Sequence, residues 1–268
     1  MSKTHPLIIA HRGASALAPE NTLAAFRQAI DDGAEGIEFD VRLSKDRIPV
    51  VFHDSRLIRI CERDEKVSDL TYTELRQLDI GSWFNAKNPA LAQNIYSGSR
   101  IESLENTLKF LSTYRGVIYI ELKCDDEDAG RLTEAVCKVI ETSPLLPQMI
   151  VKSFNLDVLP LISNYCSTAM TAALFAPEAK TILRKERRLI DVAKELKASR
   201  LSLHFSLATK KLIKKADTAD LPVTIWTADS PRWVKRSIRL GIDQIITNDP
   251  ARLLKRRYDV LRKGSILV

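Results

Sequence analysis

The chain is poor in the residues that build redox, zinc or disulfide frameworks. Its four cysteines, Cys61, Cys124, Cys137 and Cys166, form no CxxC pair and stand at no Cys/His ligand spacing, so buried free thiols are expected rather than a zinc site or a dense disulfide network. Also missing is any apolar run near the ~20 residues of a membrane span. The first apolar run, Leu7–Ala10, is too short for the core of a signal peptide, and a cytoplasmic protein is the expectation. A glycine-rich GxGxxG turn is absent after that first run, where His11-Arg-Gly13 stands instead. This weakens the case for an open, doubly wound sheet that binds a dinucleotide.

What is present is charge, unevenly placed. The 268 residues are 28% charged and 45% hydrophobic, with a net charge of +7, as in a folded globular protein. The length suits two domains of ~150 residues or one α/β barrel of ~250. A positive balance makes nucleic acid or anionic membrane the first partners to consider. Lys180–Lys215, however, holds twelve basic against three acidic residues and Ala251–Lys263 six against one, which leaves the remainder net negative. The excess falls mostly on expected outer helices. Neither a nucleic-acid partner nor stable membrane insertion is therefore anticipated.

Nine short apolar, β-branched runs read as strands: Leu7–Ala10, Gly36–Val41, Val50–Phe52, Val117–Leu122, Met149–Val151, Ala169–Phe175, Leu201–Leu203, Val223–Trp226 and Gln244–Thr247. Between them lie helical spacings such as Leu23/Phe26/Ile30 and Leu132/Val136/Val139/Ile140. The alternation implies parallel βα units. Only eight residues separate Val41 from Val50, too few for a parallel crossover, so Val50–Phe52 should be the antiparallel return of a hairpin. Eight crossover strands remain, the number that closes a (β/α)₈ TIM barrel. The expectation is one domain over residues 1–268, with a small inserted subdomain at about 55–100 after the second strand's hairpin. This insertion contains the capping-box pattern Thr71-x-x-Glu74 and reads equally as a lid or as a plain excursion.

In such a barrel the chemistry belongs at the C-terminal strand ends. Those ends read His11-Arg12, Glu38-x-Asp40, Glu121-x-Lys123, Ser153, His204, Trp226 and Asn248, with His53-Asp54 ending the hairpin arm. Glu38 and Asp40, two apart on a strand, share one face, and two close carboxylates repel unless a cation lies between them. With Glu121 as a third oxygen ligand, a hard ion, Mg²⁺ or Ca²⁺, is favoured over zinc. His11 and His53 follow apolar strands, and a histidine side chain, with its ordinary pKa of ~6.5, suits acid–base work. Arg12 beside them suits an anionic substrate. Among the remaining strand-end residues, His204 reads as structural, Trp226 as an apolar wall, Asn21 as a helix N-cap, Glu20 as a partner able to orient Arg12, and Asn248-Asp249 as a turn and helix start.

Taken in order, His11-Arg-Gly13, Pro19-Glu-Asn-Thr22, Glu38-Phe-Asp-Val41, Pro49-Val-Val-Phe-His-Asp54, Glu121-Leu-Lys123, Ser153-Phe154 and Trp226-Thr227 resemble the glycerophosphodiester phosphodiesterases along nearly the whole chain. The resemblance implies a phospholipase-C-like phosphodiesterase barrel of the cytoplasmic bacterial type, with Glu38, Asp40 and Glu121 as ligands of one divalent cation. It also implies catalytic His11 and His53, phosphate contacts from Arg12 and Lys123, and hydrolysis of a small glycerophosphodiester to an alcohol and glycerol 3-phosphate. The chain departs from the family pattern at Arg59-Ile-Cys61, Ile101-Glu-Ser-Leu-Glu105, Trp226-Thr-Ala-Asp229 and Thr247-Asn248, positions that bear on the alcohol more than on the reaction. A membrane-active phospholipase-type enzyme on the same barrel, and a noncatalytic nucleic-acid-binding barrel, are the alternatives. The second gives no reason for three ordered acids and two histidines.

Overall fold

A computed structural model describes residues 5–125, 127–177 and 186–265; residues 180–185 of the first basic stretch lie outside them. Among the described residues there are nine strands: β1 (Leu7–His11), β2 (Gly36–Leu43), β3 (Pro49–Val51), β4 (Val117–Leu122), β5 (Met149–Ser153), β6 (Met170–Phe175), β7 (Arg200–His204), β8 (Val223–Trp226) and β9 (Gln244–Thr247). The sheet order is β1-β9-β8-β7-β6-β5-β4-β2-β3, and β1 also pairs with β2. That pairing closes eight parallel strands into a barrel. The ninth, β3, pairs antiparallel with β2 through Val41 opposite Val51, the hairpin arm that the short spacing required.

Helices pack on the outside: α1 (Leu23–Asp31), α5 (Leu104–Phe110), α6 (Ala129–Glu141), α7 (Val158–Tyr165), α8 (Glu186–Glu195), α9 (Lys210–Thr218) and α10 (Arg232–Leu240) return the chain between strands, α11 (Pro250–Ser265) follows β9, and the insertion holds α2 (Ile58–Cys61), α3 (Tyr72–Leu75) and α4 (Ser82–Lys87). Their apolar stripes meet the outward residues of the strands, as where Phe26 and Ala29 of α1 join Ile37, Phe39, Ile118 and Ile120 in one buried cluster. The alternate strand positions point into the lumen, where Ile9, Tyr119, Ile150, Ala172 and Ile246 pack together. Because the side-chain period is two, the residues one step further along, His11, Glu121 and Lys152, face the same lumen at its mouth. The barrel is thus filled below by apolar side chains and above by charged ones, the layering expected of this architecture.

The segment between β3 and α5 holds three short helices, α2 (Ile58–Cys61), α3 (Tyr72–Leu75) and α4 (Ser82–Lys87). Thr71 and Glu74 form the capping box of α3. Leu57, Ile60, Val67, Leu75, Ile80 and Ile101 pack on Val50 and Phe52, so the segment carries a small core of its own against the hairpin arm. Its far end docks on the loop after β1: Phe84 and Tyr96 pack with Ala18 and Ala25, and the Tyr96 hydroxyl donates to the Leu17 carbonyl at 3.1 Å. The insertion thus packs on both the loop that follows His11 and the hairpin arm that leads to His53. No described helix is long and apolar enough to cross a membrane.

Candidate active site

The β1–α1 loop is shaped by backbone conformations that few residues adopt. Gly13 has φ +78, and a Cβ there would lie 2.6 Å from the Ala25 carbonyl carbon, so only glycine lets the loop lie this close to α1. Arg12 (φ 55) and Asn21 (φ 58) are left-handed without being glycine, a cost of order 1–3 kcal/mol each that tends to concentrate at functional loops. Here it turns both side chains toward Asp40. The N-cap of α1 is Thr22, whose hydroxyl accepts from the Ala25 amide at 3.1 Å. This corrects the expectation that Asn21 caps the helix. A cap needs extended backbone angles, and Asn21 is instead committed to Asp40: its amide donates to Oδ2 at 2.9 Å and its carbonyl oxygen accepts from the Asp40 amide at 3.3 Å.

Glu38, Asp40 and Glu121 come together in the mouth, each offering an oxygen within 4.8 Å of the others. All three are buried, where like charges close together would be prohibitive without cations. The chain supplies three. Arg12 Nε lies 3.0 Å from Asp40 Oδ2, and its backbone amide donates to Glu38 Oε2 at 3.2 Å. Lys123 Nζ lies 3.3 Å from Asp40 Oδ1 and also contacts Glu121 Oε1. Lys152 Nζ lies 2.8 Å from Glu38 Oε1 and 3.0 Å from Glu121 Oε2. Burial alone would raise the carboxyl pKa of Asp40, but Arg12, Lys123 and the two nearby histidines hold it well below the ordinary carboxylate range. For Glu121, burial is likewise outweighed by Lys152 and Lys123, and its pKa is lowered.

One oxygen of each acid, Glu38 Oε1, Asp40 Oδ1 and Glu121 Oε1, accepts no hydrogen bond of proper geometry. Three buried carboxylates whose oxygens are met by lysine ammoniums but not saturated with hydrogen bonds are a donor set that fits a hard divalent cation sharing them with those ammoniums.

The two histidines are held differently. His11 Nδ1 lies 2.7 Å from Asn248 Oδ1. That amide is oriented from its other end, since Asn248 Nδ2 donates to Asp229 Oδ2 at 2.8 Å and Ser15 Oγ donates to the same Oδ1 at 2.9 Å. Because Oδ1 can only accept, Nδ1 of His11 carries the proton, and in the neutral ring Nε2 keeps the lone pair. His53 Nδ1 instead pairs with the carboxylate of Asp54 at 2.6 Å. Burial lowers the His53 pKa and prevails over Asp40 and Asp54, which raise it.

Arg59, from α2 of the insertion, joins the two histidine-bearing loops. It donates from Nε to Asp54 Oδ2 at 2.5 Å and from Nη1 and Nη2 to Glu20 at 3.0 and 2.7 Å, while Glu20 accepts from Arg12 Nη1 at 2.8 Å. Glu20 thus orients Arg12, and its own pKa is lowered as Arg59 and Arg12 overcome its burial. On the other side, Arg42 donates to the His53 and Lys123 carbonyls at 2.7 and 3.1 Å. Trp226 stands edge-on to Phe154 and His204, with ring centres 5.4 and 5.3 Å away, so these three rings line one side of the mouth.

The structure therefore gathers His11, Arg12, Glu38, Asp40, His53, Glu121 and Lys123 in one network, with Trp226 on its aromatic flank. Lys152, Asn21, Arg42 and Arg59 also belong to it, though the sequence reading passed over the functional part of each. A cavity of about 520 Å³ opens beside His11 and Arg12, lined also by Ser15, Glu20, Asp229 and Arg252. Another of about 550 Å³, between α1 and the insertion, contains none of these groups.

Comparison with known proteins gives this barrel and its buried acid cluster a family. Residues 11–252 match the Glycerophosphoryl diester phosphodiesterase family. The chain is 30% identical over 262 residues to the glycerophosphodiester phosphodiesterase of Caldanaerobacter subterraneus subsp. tengcongensis, covering 97% of this chain and 99% of that one. Among solved structures it is similar to an Oleispira antarctica phosphodiesterase in complex with the product sn-glycerol-3-phosphate, with TM-score 0.83, 25% identity and coverage of 94% and 96%. It is also similar to the glycerophosphodiester phosphodiesterase of Thermotoga maritima, with TM-score 0.71, 25% identity and coverage of 94% and 98%. The chain belongs to the glycerophosphodiester phosphodiesterase family and is a phosphoric diester hydrolase.

Proposed function

We propose that this barrel, with its insertion at about 55–100 as part of one domain, hydrolyses small glycerophosphodiesters to an alcohol and glycerol 3-phosphate by two-histidine acid–base catalysis. The observation that carries this reading is the convergence of His11 and His53, held by different partners, on one buried cluster of Glu38, Asp40 and Glu121. Phosphodiester cleavage builds negative charge on the phosphoryl oxygens, and stabilising that charge is the main catalytic task. Arg12, aimed by Glu20 and Asp40, and Lys123, at the rim, are the cations placed to meet those oxygens.

One histidine accepts the proton of the nucleophile, and the other protonates the departing alkoxide; each role is worth roughly 10²–10⁴ in rate. The hydrogen bond from Nδ1 to Asn248 makes Nε2 the His11 atom that exchanges a proton with the substrate. A divalent ion, Mg²⁺ or Ca²⁺, held by Glu38, Asp40 and Glu121 would polarise a phosphoryl oxygen. Trp226, backed by Phe154 and His204, walls the organic side of the substrate. The Oleispira antarctica relative with sn-glycerol-3-phosphate supports the same product here.

The test is a panel of glycerophosphodiesters offered to the chelated protein alone, with Mg²⁺ and with Ca²⁺, while glycerol 3-phosphate release is followed. Turnover of at least one diester that depends on a divalent ion is expected. No release from any diester under all three conditions would overturn the reading.

A further inference from the structure

The acid cluster already contains as many cations as carboxylates, but those cations are not equivalent. Lys123 has a side chain 14% exposed and reaches in from the rim, with Nζ 5.3 Å from the Phe154 ring centre. Arg12 is shared with Glu20 outside the cluster. Lys152 is different: it is 2% exposed, rises from the lumen wall on β5 opposite Glu121, and holds its Nζ 5.9 Å from the ring centre of Tyr119 in the apolar layer below. Its ion pairs reach Glu38 on β2 and Glu121 on β4 and so bridge two strands. Lys152 Nζ thus lies on the inner side of the acids, paired with the same Glu38 Oε1 and with the Glu121 carboxylate that an incoming metal would have to share.

We propose that Lys152 is a resident internal counterion that assembles the Glu38–Glu121 pair before any divalent ion arrives and keeps that ion weakly held and exchangeable. The inference rests on the reading of Glu38, Asp40 and Glu121 as ion ligands. Two effects follow from one charge. Without an ion, the ammonium offsets the repulsion of Glu38 and Glu121, so the barrel mouth does not depend on metal for its fold. With an ion, the same ammonium repels it across a few ångströms of low-dielectric interior, where like charges interact far more strongly than in water. Lys152 is a positioning residue in this account, acting through the two carboxylates rather than on the substrate.

The experiment measures Mg²⁺ and Ca²⁺ binding by calorimetry, and melting temperature in chelator and in saturating ion, for the wild-type protein and for Lys152→Met, Lys152→Gln and Lys152→Arg. The two neutral variants should bind the ion about tenfold or more tightly, melt well below wild type in chelator, and recover much of that loss when the ion is added. Wild type should gain less in melting temperature than the neutral variants at the same ion concentration, and Lys152→Arg, which keeps the charge, should retain near-wild-type affinity. Unchanged affinity in both neutral variants would overturn the proposal. So would neutral variants that fail to fold even in saturating ion, because the ion should replace the missing charge. Diesterase turnover of the wild-type protein, followed alongside, separates the two ideas: its absence sinks the functional reading, whereas an active wild type with unshifted variant affinities sinks only the role of Lys152.

Discussion

Two charged regions of this molecule behave in opposite ways. In the barrel mouth, Arg12, Glu38, Asp40, Glu121, Lys123 and Lys152 are withdrawn from solvent, and each lies within ion-pair distance of a partner. On the outer helices, Lys210, Lys211 and Lys214 of α9 and Arg232, Lys235, Arg236 and Arg239 of α10 stand exposed. On α10 the basic residues recur at helical spacing opposite buried Val234 and Ser237. The outer group contributes heavily to the net charge of +7, while the mouth contributes almost nothing because its charges cancel. Yet exposed charges are screened within about 8–10 Å at moderate salt, and buried paired ones are not. Net charge therefore points away from the place where electrostatics has its consequence.

The mouth should respond most strongly at its two histidines. His11→Ala or His53→Ala should lower kcat/KM by roughly 10²–10⁴ with circular dichroism and melting temperature close to wild type; near-normal turnover by both variants would remove the catalytic assignment. Asp40→Asn comes next. It leaves Arg12 and Lys123 facing a neutral amide, and breaking a buried pair costs about 3–5 kcal/mol, here reduced by the partial exposure of both cations. Urea denaturation should register a loss of about 1–3 kcal/mol, together with lost divalent binding.

A subtler change is Asp54→Asn. Asp54 raises the His53 pKa against the lowering effect of burial, so removing its charge should carry the histidine further below ~6.5. The limb of the pH–rate profile that belongs to His53 should then move to lower pH, while the other limb stays. Smallest of all is the outer shell. Replacing Lys210, Lys214, Lys235 and Arg239 by Gln should change kcat/KM by less than about twofold and stability by no more than about 0.5 kcal/mol per site. A large loss of turnover would show that the two regions are coupled after all.

Much of the architecture can be read from spacing, because strand count, crossover length and the eight-residue hairpin gap are local properties. The pairing of Glu38 with Asp40 on one face followed from period two. The same rule applied to Met149–Val151 would have carried one step on from Ile150 to Lys152 and placed it beside Glu121. The strand candidate stopped at Val151, and so the lysine was missed. Asn21 was misread because its role depends on a left-handed φ, which no neighbouring residue announces. Asn248 and Arg59 escaped for another reason. Their contacts span 237 and 39 residues and arise only when the last strand closes on the first and the insertion folds back over both loops.

The decisive measurement is release of glycerol 3-phosphate from a glycerophosphodiester by the wild-type protein and by His11→Ala, after exhaustive chelation and again after Mg²⁺ or Ca²⁺ is restored. Wild type should be inactive when chelated and recover with the ion, and the variant should stay inactive in both conditions. Full wild-type activity in chelator, or a variant that recovers with the ion, would contradict the metal-dependent, two-histidine mechanism.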